Sequence, residues 1–168
     1  MCGIHGFTWS DQEKIDKMVE LSYKRGPDAD GTYVDANISL GHNLLAITEE
    51  PEVSSQPWVL MDKWVLCYNG EIYNYKELRK DLESKGHVFE TDSDTEVLAK
   101  GLSSHGIDFI KRLDGMYGIA WYDKSEQKVV LARDNTGVKP LYYHESSGNL
   151  AFSSSIKSLI SFNVSAGP

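Results

Sequence analysis

The 168-residue sequence is poor in cysteine and proline, with two and five, and short of positive charge, with 17 basic against 25 acidic residues. The two cysteines, Cys2 and Cys67, form neither a C-x-x-C pair nor a zinc-ligand spacing, which excludes a disulfide-stapled scaffold and a zinc module. A net charge of −8 with no clustered basic face argues against a nucleic-acid binder. The acidic residues are scattered and read as a solvated surface. No uninterrupted apolar stretch nears the roughly 20 residues that a membrane-spanning helix needs. Asp11, Glu13 and Lys14 interrupt the only candidate for a secretory leader. The expectation is a cytoplasmic protein with no membrane and no nucleic-acid partner. A reducing compartment would keep a nucleophilic thiol usable. Cys67, inside the apolar run Trp64-Val65-Leu66-Cys67-Tyr68, is expected to be a buried free thiol.

What is present suits one domain with a real core: 40 % of residues are hydrophobic and 25 % charged. There is no linker, repeat or low-complexity tract. Ile4 to Trp9 reads as a strand, and Ser10-Asp11-Gln12-Glu13 as a capping box opening a helix with Ile15, Met18 and Val19 on one face. That helix ends before Gly26-Pro27. Short strands are expected at Gly31–Val34, Ile38–His42 and Leu45–Thr48, then a loop over 49–57, then a strand Trp64–Tyr68 ending at Asn69-Gly70. Asn74 with Glu77 caps a second helix bearing Leu78 and Leu82. A short strand follows at Val88–Glu90, and Asp94 opens a third helix through about Leu102. After a helical turn near Phe109–Leu113, turn signals separate strands at Met116–Tyr122, Lys128–Ala132, Leu141–His144 and Leu150–Ser153, with a last helix near Ser155. Strands in hairpins with grouped helices indicate an α+β fold. Periodicity shows neither the number of sheets nor their stacking.

The most informative residue is Cys2, in Met1-Cys2-Gly3-Ile4-His5-Gly6. Removal of Met1, which a small second residue permits, would give Cys2 both a thiol and a free α-amine. Such groups ordinarily titrate near about 8.5 and about 8 respectively. One residue would then hold nucleophile and general base. The alternative is a small hydrophobe entering a strand. Asn69-Gly70 offers a side-chain amide donor and an unobstructed backbone N–H, the makings of an oxyanion hole, or simply a turn. Asp94 is either a helix N-cap or a carboxylate that receives the α-ammonium of an amino acid. Nothing near Asp92 and Asp94 completes a metal ligand set, so no metal is expected. Arg25-Gly26-Pro27-Asp28 reads as a structural turn. Arg133 and Asp134 are expected to pair at a hairpin tip. None of the five histidines is placed as a partner for Cys2, which favours the α-amine as base.

Taken together, these segments resemble the class II glutamine amidotransferase (glutaminase) domain, most closely the N-terminal half of glutamine-hydrolysing asparagine synthetases. The likeness is carried, in order along nearly the whole chain, by Met1 to Gly6, Arg25 to Asp28, Asn69 to Asn74, Ser93 to Glu96, Leu113 to Met116, Ala132 to Tyr143 and Phe152 to Leu159. The resemblance implies the N-terminal-nucleophile hydrolase fold, a four-layer αββα sandwich of two antiparallel sheets between helical layers. It also implies hydrolysis of the glutamine side-chain amide through a Cys2 thioester. Asn69 and the Gly70 N–H would hold the oxyanion, Glu71 and Asp94 the substrate ammonium, and backbone near Ile47 and Thr48 would line the pocket. No cofactor is implied in this domain, and ATP only with a synthase partner. The implied partners are L-glutamine and an ammonia-accepting synthetase domain or subunit.

Two departures qualify the likeness. Where the family carries His-x-Arg-Leu-Ser-Ile, with the Arg on the glutamine α-carboxylate, this chain reads His42-Asn43-Leu44-Leu45-Ala46-Ile47. A charge-assisted bond is worth roughly 1.5–3 kcal/mol, so Leu44 leaves three explanations open: weak glutamine binding, another cation such as Lys63 or Arg25, or a substrate without that carboxylate. Beyond an active glutaminase, the alternatives are a weak or inactive docking or regulatory domain and an N-terminal-nucleophile amidohydrolase with another substrate. The second departure is length. A single glutaminase-type domain is expected over residues 1–168, with Met1 removed and the synthase domain absent.

Overall fold

The computed structural model describes residues 1–46 and 55–161. Among these residues nine strands make two antiparallel sheets, and four α-helices pack on them. In the first sheet, β2 (Ala29–Val34), β3 (Ser39–Leu44), β1 (Gly3–Phe7), β9 (Asn149–Ser153) and β8 (Tyr142–Ser146) lie in that order. In the second, the order is β4 (Trp58–Leu60), β5 (Trp64–Ile72), β6 (Gly115–Asp123) and β7 (Lys128–Arg133).

Side-chain alternation along each strand turns these sheets into layers. Ile4, Leu40 and Phe152 of the first sheet pack on Val65, Cys67, Ala120 and Tyr122 of the second, so the two sheets lie face to face. The opposite face of the first sheet buries Phe7 and Ala151 against Ile15 and Met18 of α1 (Gln12–Leu21) and Leu159 of α4 (Ile156–Ile160). The opposite face of the second buries Leu66, Tyr68, Ile72, Ile119 and Trp121 against α2 (Tyr75–Ser84) and α3 (Asp94–His105), which supply Leu78, Leu82, Val97, Leu98 and Leu102. The result is the expected αββα sandwich. The cysteine expectation holds too: Cys67 is fully buried and unpaired, and burial pushes its thiol pKa far up.

Several local expectations need correction. The first helix is capped by Asp11, whose carboxylate accepts from the Lys14 N–H at 3.0 Å; Ser10 is not the cap. Asn74 makes no side-chain cap on α2. Its amide instead bridges two backbone groups, donating to Arg112 O at 2.9 Å and accepting from Asp114 N at 3.0 Å. Val88–Glu90 is not a strand, because the Glu90 N–H is taken by the buried Glu96 carboxylate and Val88 O by Lys100. The strand β4 has no counterpart among the expected strands. Arg133 and Asp134 do not pair. Asp134 accepts from Tyr117 N, Val138 N, Lys139 N and Thr136 Oγ1, while Arg133 donates to Gly137 O and Lys139 O. Although burial opposes them, those donors hold the Asp134 carboxyl well below its ordinary pKa.

Candidate active site

The site lies where β1 and β3 of the first sheet meet β5 of the second. Cys2 immediately precedes β1 and has the parity of Ile4, so its side chain faces the second sheet. Two residues from outside β1 fix it. Arg25 donates from Nε and Nη2 to the Cys2 carbonyl, both at 3.3 Å. Leu45, just past β3, donates its N–H to Cys2 Sγ at 3.4 Å. Arg25 can approach because Gly26 lies against the end of β3: a Cβ there would sit 2.6 Å from the carbonyl carbons of Asn43 and Leu44.

The second sheet places the donors. The expectation of a strand ending at Asn69-Gly70 is overturned: β5 continues to Ile72, and Asn69 and Gly70 pair with Gly118 and Tyr117 of β6. They are not a turn. Asn69 shares the inward parity of Val65 and Cys67. The residue is only 2 % exposed, and its Nδ2 has no hydrogen-bond partner among the described residues. Such a buried orphan donor normally costs free energy.

The backbone repeats the arrangement. Successive N–H groups of an antiparallel strand point alternately to its two edges. On the edge of β5 away from β6, the Tyr68 N–H goes to Gln56 Oε1 at 2.6 Å and the Ile72 N–H to Asp94 Oδ2 at 2.9 Å. Gly70 lies between them and turns its N–H toward the cavity. Only glycine fits there, since a Cβ would lie 2.3 Å from Met116 O.

Asp94 is not the N-cap of α3. Ser93 is, its Oγ accepting from the Thr95 N–H at 3.0 Å. Asp94 is thereby released to face β5, where Oδ2 also accepts from the Tyr68 hydroxyl at 2.7 Å. A cavity of about 420 Å³ brings these groups together. Met1, Cys2, Asn69, Gly70, Glu71 and Asp94 all line it, and so does Leu44 in place of the expected Arg. Ile47 and Thr48 lie outside the described residues.

Burial pushes the α-amino group of the intact chain below its ordinary pKa; the Cys2 sulfur opposes this, and nearby Arg25 and Lys139 reinforce it. Met1 is half exposed at the cavity. The histidines nearest the site do not hydrogen-bond Cys2. His5 is held between Ser153 Oγ at 2.8 Å and Asn43 Oδ1 at 3.0 Å. His42 crosses from β3 to the Tyr68 carbonyl at 3.2 Å. Burial brings them down to about 4 and about 3 respectively, so both are neutral at pH 7. No group of three metal-ligating side chains occurs among the described residues, and no helix among them is long and apolar enough to cross a membrane.

Sequence alone places Arg25 in a structural turn or offers it as a carboxylate-binding cation, neither of which is its contact with the Cys2 carbonyl, and does not single out Leu45, Gln56, Tyr68 or Lys139. Most of these act through backbone groups or from sites distant in sequence, and side-chain chemistry alone gives no signal for that.

Comparison with known proteins gives the family. The chain is 36 % identical to "Asparagine synthetase [glutamine-hydrolyzing] 3" of Bacillus subtilis, over 95 % of this chain and 27 % of that protein. It is 38 % identical to the Arabidopsis thaliana protein of the same name, over 95 % of this chain and 28 % of that one. It thus spans little more than a quarter of these relatives. In structure, glutamine phosphoribosylpyrophosphate amidotransferase of B. subtilis superposes with a TM-score of 0.76 at 21 % identity, over 95 % of this chain and 43 % of the other, a likeness of fold. The profile of the glutamine amidotransferase domain matches residues 1–166, and the chain belongs to that family.

Proposed function

We propose that this domain hydrolyses the side-chain amide of L-glutamine to glutamate and ammonia, and passes the ammonia to a synthetase domain or subunit of the asparagine-synthetase type. The observation that carries this reading is the placement of Asn69 and Gly70 beside Cys2 on the cavity lining, with Asn69 Nδ2 unpartnered among the described residues and the Gly70 N–H on the edge of β5 away from β6. Once Met1 is removed, the Cys2 α-amine takes the thiol proton and Sγ attacks the amide carbon. The carbonyl oxygen becomes an oxyanion held by the two donors. The amine then returns the proton to the leaving nitrogen, the C–N bond breaks, and ammonia departs from a glutamyl thioester. Water, deprotonated by the same amine, cleaves the thioester to glutamate and restores the thiol. Glu71 and Asp94 hold the substrate ammonium, Asp94 kept in place by Tyr68 and Ile72.

Nucleophile, base and oxyanion donors all come from the chain, so the step needs no metal or cofactor; ATP enters only with the synthetase partner. The reaction belongs in the cytoplasm, where the thiol stays reduced. The test is glutamate release from glutamine by the processed protein and by Cys2→Ala. Release that disappears with the thiol supports the reading; equal background release from both removes it. Leu44 favours a second reading, a non-catalytic docking or regulatory domain. Covalent labelling of Cys2 by a glutamine-like electrophile, seen by mass spectrometry, excludes it.

A further inference from the structure

Glutamine reaches the site as a zwitterion. The cavity offers carboxylates for its ammonium: Glu71, Asp92 and Asp94 all line it. Its α-carboxylate needs a cation, and the position that would supply one holds Leu44. Two cations suggested by the sequence are committed elsewhere. The Arg25 guanidinium is turned to the Cys2 carbonyl. Lys63 lies between β4 and β5, its ammonium 4.5 Å from the centre of the Trp64 ring, and it does not line the cavity.

One basic side chain remains. Lys139 is the only one among the described residues lining the cavity, and residues 47–54 contain no basic residue at all. Lys139 is 8 % exposed as a residue; its ammonium has neither a carboxylate nor a hydrogen-bond partner among the described residues and is not among their buried unpartnered atoms, so it stays open to solvent at the cavity. Its backbone is held on both sides, the N–H by Asp134 Oδ2 at 3.0 Å and the carbonyl by Arg133 Nε at 2.8 Å. The four-carbon stem therefore extends from a fixed point.

Resting on the glutaminase reading, we propose that Lys139 is the residue that binds the substrate α-carboxylate in this chain, in place of the arginine that Leu44 displaces. The anion supplies the partner that the ammonium lacks. The contact acts on capture of glutamine rather than on attack at the amide.

The experiment compares Lys139→Met with wild type on two substrates, L-glutamine and L-glutaminamide, whose α-carboxylate is replaced by a neutral amide. The expected result is a KM for glutamine raised on the order of ten- to a hundredfold, with kcat within about threefold and kinetics on glutaminamide nearly unchanged. Turnover of glutaminamide also shows that the variant is folded; Lys139→Gln takes its place if the Met variant does not fold. An unchanged KM for glutamine overturns the proposal, and so does an equal loss on both substrates. If wild type shows no Cys2-dependent release, the glutaminase reading fails by itself. The inference is then decided by calorimetry of glutamine binding to Cys2→Ala, with and without Lys139→Met. Weaker binding with the second substitution supports it; equal binding, or none to either protein, overturns it.

Discussion

The two sheets contribute to the site in opposite ways. The first delivers Cys2 from just outside β1, held by Arg25 and Leu45, neither of which is in that strand. The second delivers Asn69 and Gly70 from within β5, with the ladder to β6 intact around them. A residue ahead of a strand's first pair can gain or lose its leading neighbour without disturbing the ladder. Oxyanion donors must hold a fixed position before charge develops, and a paired strand supplies that rigidity. The difference teaches that a residue ahead of a strand is held by contacts from elsewhere in the fold, whereas residues within a strand are held by the ladder itself.

The sharpest test of this division is Asn69→Ala. Removing one oxyanion donor is expected to lower kcat about 10²–10³-fold, or roughly 2.7–4 kcal/mol. Because its Nδ2 has no partner to lose, the cost in stability should stay within about 1 kcal/mol. Steady-state kinetics beside urea unfolding would check both, and a large stability loss would show that the donor is structural.

Acid should next separate the two sheets. His5 and His42 both lie in the first, with pKa values brought to about 4 and about 3 from an ordinary 6.5. Below pH 6.5 the unfolded chain binds protons that the folded chain refuses, so stability falls as pH drops toward 4. Each residue contributes a loss of roughly 2–3 kcal/mol by about pH 4.5. Urea titrations at pH 7 and pH 4.5 measure this, and His42→Asn should remove about half of the dependence. A flat profile would show that the first sheet's buried histidines do not resist charging.

Gly70→Ala drives a Cβ onto Met116 O and is expected to cost about 1–3 kcal/mol, with a fall in the thermal midpoint. In the first sheet, Cys2→Ala should leave the midpoint unchanged, so the pair contrasts a site residue built into a ladder with one outside it. The smallest effect is expected from Tyr68→Phe, which deletes the 2.7 Å hydroxyl bond to Asp94. About 1 kcal/mol is at stake, a several-fold rise in KM for glutamine with kcat preserved.

Much of the layout was legible in the sequence. The apolar stripe Ile15, Met18, Val19 marks the buried face of α1, and Leu78 with Leu82 that of α2. The strands from β6 to β9 fall between the expected turns. The misses share a cause. Asn-Gly is a turn signal locally, yet pairing with Gly118 and Tyr117 keeps it extended. Ser93 and Asp94 are both good caps, and only contact with Tyr68 and Ile72 selects Asp94 for the cavity. Asn74 looks like a cap but is drawn to Arg112 and Asp114 across the fold.

The sequence by itself determined the family, the identity of the thiol and the absence of the usual arginine, because these are statements about which residues stand where along the chain. Tertiary structure alone decided which donors are unclaimed and which cation faces the cavity. Whether Asn69 Nδ2 or the Lys139 ammonium has a partner depends on groups brought near by folding, and short-range hydrogen bonding and charge interactions act on distance in space, not on separation along the chain.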